Sequence, residues 1–160
     1  MSMLGSVRDF RGLNGLTYSE LNKLSCEIRE MILQVTLKNG GHLASSLGAV
    51  ELTVALLRAF DPDRDKIIFD VGHQSYAYKI LTKRMDRFHT LRTKGGIAGF
   101  PRMGESSYDF FTTGHSSTSI SAAMGYAKAR DISCQKHEVV AVIGDGALLN
   151  GVSFEALNCV

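Results

Sequence analysis

Two glycine-flanked polar clusters concentrate the groups able to do chemistry in this 160-residue sequence: Gly72-His73-Gln74 and Gly144-Asp145-Gly146. Each follows an apolar run, Ile67 to Val71, which has no polar residue until Asp70, and Val139 to Ile143. If both runs are parallel strands, both clusters emerge at the carboxyl end of the sheet, where ligands bind. Glycines there let the backbone approach a ligand closely, and the start of a following helix presents unpaired N–H groups suited to phosphate oxygens. Asp145 adds a hard carboxylate of the kind that holds Mg²⁺. Two readings stay open on these residues: a magnesium-diphosphate site, and an ordinary turn in which Asp145 accepts hydrogen bonds from its own backbone. No GxGxxG spacing and no Gly-Lys-Ser/Thr loop is present, which weakens nicotinamide and nucleoside-triphosphate readings.

Histidines form the second asymmetric feature. His42, His73 and His115 each follow a glycine in a segment read as a loop or element end, whereas His89 and His137 do not. Imidazoles gathered over one pocket can pass protons near neutral pH or hydrogen-bond an anionic substrate, and the alternative for each is a satisfied structural histidine. No short ligand pair or HExxH supports zinc, and no GxSxG elbow supports a serine nucleophile. The Gly114-His115-Ser116-Ser117-Thr118-Ser119 stretch precedes a helical pattern, so its hydroxyls either cap that helix or bind phosphate. Arg92, Lys94 and Arg102 are further candidates for a substrate phosphate, or solvated loop cations.

The elements that must position these groups read as α/β. Thr17 and Glu20 make a capping-box pattern, after which Leu21, Leu24, Ile28, Met31, Ile32 and Val35 recur at helical spacing until Asn39-Gly40-Gly41. A second helix is predicted from about Leu47 to Phe60, with Leu52 and Leu56 widening its apolar stripe so that it sits between layers. Asp61-Pro62-Asp63 ends it. The apolar runs on either side of a helix predicted over 118–130 read as buried parallel strands. Residues 93–117 lack any helical period and read as ordered loops, and 152–157 begin a last helix. Because two parallel strands need neighbours and covered faces, the chain is expected to be part of a larger fold.

Composition narrows the class. With 44% apolar residues, 18 Lys+Arg and 16 Asp+Glu, the chain fits a globular protein with a core and offers no basic tract for nucleic acid. The longest apolar run is too short to cross a bilayer, and the first fifteen residues lack a secretory core, so an intracellular protein is expected. Cys26, Cys134 and Cys159 are odd in number and far apart, and buried thiols in a reducing compartment are the expectation.

Taken together, Gly40-Gly41-His42-Leu43, Ser45-Ser46-Leu47-Gly48, VELTVAL at 50–56, DVGHQSY at 70–76, KILT at 79–82, GHSSTSISAA at 114–123 and VVAVIGDGA at 139–147 resemble the amino-terminal part of the 1-deoxy-D-xylulose-5-phosphate synthases, thiamine-diphosphate enzymes related to transketolase. The resemblance covers about residues 17–158. It implies a partial transketolase-like fold, parallel strands flanked by helices, in which residues 1–160 are a partial diphosphate-binding domain without the pyrimidine-binding and carboxy-terminal domains. It also implies condensation of pyruvate with glyceraldehyde 3-phosphate, with loss of CO2, using thiamine diphosphate and Mg²⁺. By motif, Asp145 would bind Mg²⁺; Gly144, Gly146 and Ala147 would meet the diphosphate; His73, Gly114, His115, Ser116 and Ser117 would line the cofactor; His42, helped by His73, would move protons. Tyr78 departs from the histidine common in the family, and the asparagine that closes the cofactor motif would fall beyond Val160. The isolated chain is therefore expected to be inactive and to bind the cofactor weakly or not at all. A homodimer or self-association is expected, in a bacterial cytoplasm or, for a plant or alga, the plastid stroma. A non-catalytic assembly or regulatory module, and part of a transketolase acting on sugar phosphates, are the alternatives.

Overall fold

The computed structural model describes residues 2–160, and its longest element begins where the capping box predicts. The Thr17 hydroxyl accepts the N–H of Glu20 at 3.3 Å, and the Glu20 carboxylate accepts the N–H of Thr17 at 2.8 Å, opening α2 (Tyr18–Asn39). These hydrogen bonds lower the carboxyl pKa of Glu20. Leu24, Ile28 and Ile32 are each 0% exposed on one face, and burying such side chains contributes roughly 1.5–3 kcal/mol apiece. Gly40 stops the helix at φ +77, its N–H returning to the Thr36 carbonyl.

An element that the periodicity did not foretell, α1 (Met3–Val7), docks on α2 through Glu27. That carboxylate accepts the N–H groups of Leu4 and Met3 and the Ser2 hydroxyl, which hold its pKa down to about 2. A 3-10 turn over Phe10–Leu13 follows α1.

The single helix predicted over 47–60 is two: α3 (Leu43–Gly48) and α4 (Val50–Ala59), broken at Ala49 with φ −100 and ψ 7. In α3, Ser46 is buried and its hydroxyl donates to the His73 carbonyl at 2.8 Å, so this short helix is oriented by a distant backbone group rather than by continuity with α4. Leu52 is 51% exposed, which corrects the expectation of a helix buried on all sides. Further along lie α5 (Tyr76–Lys79), a π turn over Ile80–Arg84 and a 3-10 turn over Met85–Thr90.

Strands β1 (Lys66–Phe69) and β2 (Val139–Val142) pair in parallel, Lys66 opposite Val139 and Phe69 opposite Val142. This supports the α/β reading as a small parallel sheet among helices. Asp65 ties the two strand starts together. Burial raises its pKa, but the Arg64 guanidinium and the N–H groups of Glu138 and Asp61 outweigh that and hold it down to about 2. Ile67, Ile68 and Phe69 are buried, whereas in β2 only Val142 is, so the second strand departs from the expected full burial.

Helix α6 (Ser119–Ile132) packs on both strands, and α7 (Asp145–Leu148) and α8 (Gly151–Asn158) complete the chain. Residues 93–117 form turns without helix or strand, as predicted. Ile120, Ala123, Met124 and Ala127 share a face of α6, as their spacing predicts, but they line an open groove of about 420 Å³ with Val139, Ala141 and Leu157.

Contacts divide the chain into two compact units interleaved in sequence, Met1–Phe60 with His73–Gly99 and Asp61–Gly72 with Phe100–Val160. All three cysteines are exposed and free, correcting the expectation of buried thiols. Cys26 lies off the Leu24–Ile28–Ile32 stripe, and Cys134 and Cys159 follow the last turns of α6 and α8. Among the described residues no helix is long and apolar enough to cross a membrane.

Candidate functional site

In the first unit the fold brings His42 and His73 together, with ring centroids 5.8 Å apart in an edge-on arrangement. The His42 backbone N–H donates to the Tyr76 hydroxyl at 3.2 Å, and the Tyr76 ring is fully buried. Gly41 precedes it at φ +140, where an added Cβ would fall 2.6 Å from that hydroxyl and 3.3 Å from Arg92 Cδ. Glycine is required by close approach as well as by conformation. Ser45 and Ser46 both donate to the carbonyl of His73. The His73 Nδ1 is buried without a hydrogen-bond partner among the described residues.

Burial, the Arg92 guanidinium and His73 together lower the pKa of His42 below the ordinary histidine value. His42 is therefore neutral near pH 7 and able to accept a proton. Of the three loop cations singled out in the sequence, Arg92 acts on His42 within this unit. Lys94 is exposed in a turn, and Arg102 is exposed with its backbone N–H on Asp109.

In the second unit the parallel register sets the ends of β1 and β2 side by side, the Asp70 N–H donating to the Val142 carbonyl at 2.7 Å. The chain leaves β1 through Val71 and Gly72, both in the left-handed region. At Gly72 an added Cβ would fall 2.2 Å from Pro101 Cδ and 2.5 Å from the Thr113 hydroxyl.

Beyond β2, Gly144 precedes α7, with Asp145 exposed in its first turn. A Cβ at Gly144 or Gly146 would meet nothing within 4 Å, so the turn is open to a ligand. Gly114, His115 and Ser116 are exposed as well, while Ser117 is fully buried and its hydroxyl donates to the Ala147 carbonyl at 2.8 Å. That bond joins the Gly114–Ser117 segment to the Gly144–Ala147 turn.

The serine-rich segment does not cap α6 with a hydroxyl. Thr118 makes no side-chain cap bond, and the Asp70 carboxylate accepts the N–H groups of Ser117 at 2.7 Å and Ser119 at 3.0 Å instead. Sequence reasoning gave Asp70, Tyr76 and Ser153 no part in the site. For Asp70 the available signal was a lone carboxylate ending a buried apolar run.

Asp145 is a hard oxygen donor beside open glycines, which fits a divalent cation shared with phosphate oxygens. Among the described residues no three His, Cys, Asp or Glu side chains cluster as a metal site of their own, so Asp145 would need further ligands from a bound group or water.

A family model described as 1-deoxy-D-xylulose-5-phosphate synthase matches residues 4–160. Relatives bearing that name include proteins of Clostridium kluyveri, 56% identical over 99% of this chain and 26% of that protein, and Heliobacterium modesticaldum, 60% identical over 98% and 24%. A Geobacter metallireducens protein named 1-deoxy-D-xylulose-5-phosphate synthase 1 is 57% identical over 98% of this chain and 25% of its own length. The chain thus spans about a quarter of the length of the curated relatives it matches. The match takes in α1 from Leu4 onward, upstream of the stretch over which the motifs alone show resemblance.

Proposed function

Because the chain belongs to the 1-deoxy-D-xylulose-5-phosphate synthase family, we propose that it serves a thiamine-diphosphate-dependent transferase joining pyruvate to glyceraldehyde 3-phosphate with release of CO2. In this reading residues 1–160 supply diphosphate-binding and proton-handling groups. The cofactor, when bound, supplies the electron sink for breaking and forming bonds at a carbonyl carbon. Asp145 would hold Mg²⁺, and the open glycines Gly144 and Gly146, with Ala147, would admit the diphosphate. The exposed Gly114–Ser116 segment, joined to that turn through Ser117, would line the same group.

His42 and His73 would handle protons. The observation that carries this role is their edge-on pairing at 5.8 Å, with His42 held neutral by burial and by Arg92. A neutral imidazole can accept a proton from a reacting hydroxyl and return it. Arg92, besides disfavouring the charged form of His42, provides a cation for an anionic oxygen arriving at the same corner.

The test is turnover by the natural full-length protein with pyruvate and glyceraldehyde 3-phosphate, following CO2 release with and without thiamine diphosphate and Mg²⁺. Release that requires both substrates and both additions supports the assignment. Turnover of ketose phosphates without pyruvate would replace it with a transketolase activity. For residues 1–160 alone, where the Asp145 turn is exposed to water, weak or undetectable cofactor binding is expected by calorimetry, and micromolar or tighter binding would contradict it.

A further inference from the structure

Helix α7 has four residues and no side-chain cap, too few to fix its own orientation. The Gly144–Ala147 turn must be held from outside, and the hydrogen bonds show where. The carbonyl of Ala147 accepts the hydroxyl of Ser117 at 2.8 Å and that of Ser153, from α8, at 2.9 Å. Both serines are 0% exposed.

Ser117 sits at φ +72, a conformation where glycine is usual. A serine there is explained by its hydroxyl, which glycine could not supply. Its backbone is fixed in turn by Asp70, 1% exposed, whose two carboxylate oxygens take the N–H groups of Ser117 and Ser119. The end of β1, the loop before α6, the Asp145 turn and α8 are thereby joined by buried polar contacts.

We propose that Asp70, Ser117 and Ser153 are positioning residues that hold the Ala147 carbonyl, and through it the Asp145 turn, in the geometry that binds a magnesium diphosphate. The proposal rests on the functional reading above. Groups behind a metal ligand set its orientation, and their loss weakens metal affinity by about 10- to 100-fold.

Asp70→Asn would turn an amide against two N–H donors and risks misfolding, so the test uses Ser117→Gly, Ser153→Ala and the double variant. Glycine accepts φ +72, so Ser117→Gly removes the hydroxyl without adding backbone strain, and Ser153→Ala tests the same carbonyl without a change to glycine. Thr53→Ala is the control: it deletes a buried hydroxyl that donates to the Ala49 carbonyl, within the compact unit that does not contain the turn. In the natural full-length protein, affinity for thiamine diphosphate with Mg²⁺ is measured by calorimetry, and amide exchange is followed at Ala147–Leu149.

The expected result is about 10- to 100-fold weaker binding in each serine variant, faster exchange at those amides, and parental affinity in Thr53→Ala. Parental affinity in the double variant, whether or not exchange quickens, overturns the proposal and leaves the family reading intact. An equal loss in Thr53→Ala overturns it as a mere stability effect. Failure of the parent itself to bind overturns the functional reading, and this proposal with it.

Discussion

The histidine corner and the Asp145 turn solve opposite problems. His42 and His73 are half-buried, packed ring against ring, with the Gly41–His42 backbone held by a fully buried tyrosine. The protonation of His42 is set by burial and by protein groups already in place. Asp145, Gly144 and Gly146 lie open to solvent, and rigidity is supplied from behind by buried Ser117, Ser153 and Asp70. A proton-handling group needs shielding, because its function depends on its pKa. In the function proposed above, Asp145 as a cation ligand needs access, because the ion and its phosphate oxygens would complete the site.

The sharpest way to break this contrast is to remove one imidazole. His42→Ala in the full-length protein should lower kcat by about 10²- to 10⁴-fold, the usual contribution of a positioned acid or base, with cofactor affinity little changed in calorimetry. An affinity loss of the same size would give His42 a part in cofactor binding and end the contrast. Asp145→Asn should do the reverse: magnesium-dependent cofactor binding falls by at least the roughly 10- to 100-fold seen for groups behind a ligand. Normal magnesium dependence in that variant would remove Asp145 from the role.

A smaller effect is expected from Gly41→Ala, which forces a Cβ to 2.6 Å from the Tyr76 hydroxyl at φ +140. Destabilisation of about 1–3 kcal/mol is expected by urea denaturation, as for other overpacked sites. A neutral outcome would mean that the tyrosine moves aside readily.

The smallest effect is electrostatic. With its folded pKa below the unfolded value of about 6.5, neutral His42 contributes stability above that pH, which is lost as the pH falls through the folded value. Histidine NMR titration should place His42 below 6.5, and Arg92→Gln should raise its midpoint. A midpoint indifferent to Arg92 would leave burial and His73 as the causes.

Local signals were legible in the sequence. The Thr17–Glu20 capping box, the Gly40 stop and the two apolar strand runs each depend on residues close in the chain, and each is found where expected. The break at Ala49 was not legible, because α3 takes its direction from a bond between Ser46 and His73, 27 residues apart. Nor was the role of Asp70, whose partners lie 47 and 49 residues away. At Cys26 the pattern was present but outweighed: the usual burial of cysteine competed with a helical stripe that leaves position 26 outside, and the stripe prevailed. The glycine-linked context of His42 and His73 marked the pair, while their proximity is a product of the fold.

Crowding at Gly72 bears on how this chain can vary. Since even a methyl group would collide with Pro101 and Thr113, alanine at this codon should fare no better than tryptophan. In a saturation-mutagenesis survey scored by protein abundance, position 72 would serve as an internal zero against which milder losses elsewhere are calibrated.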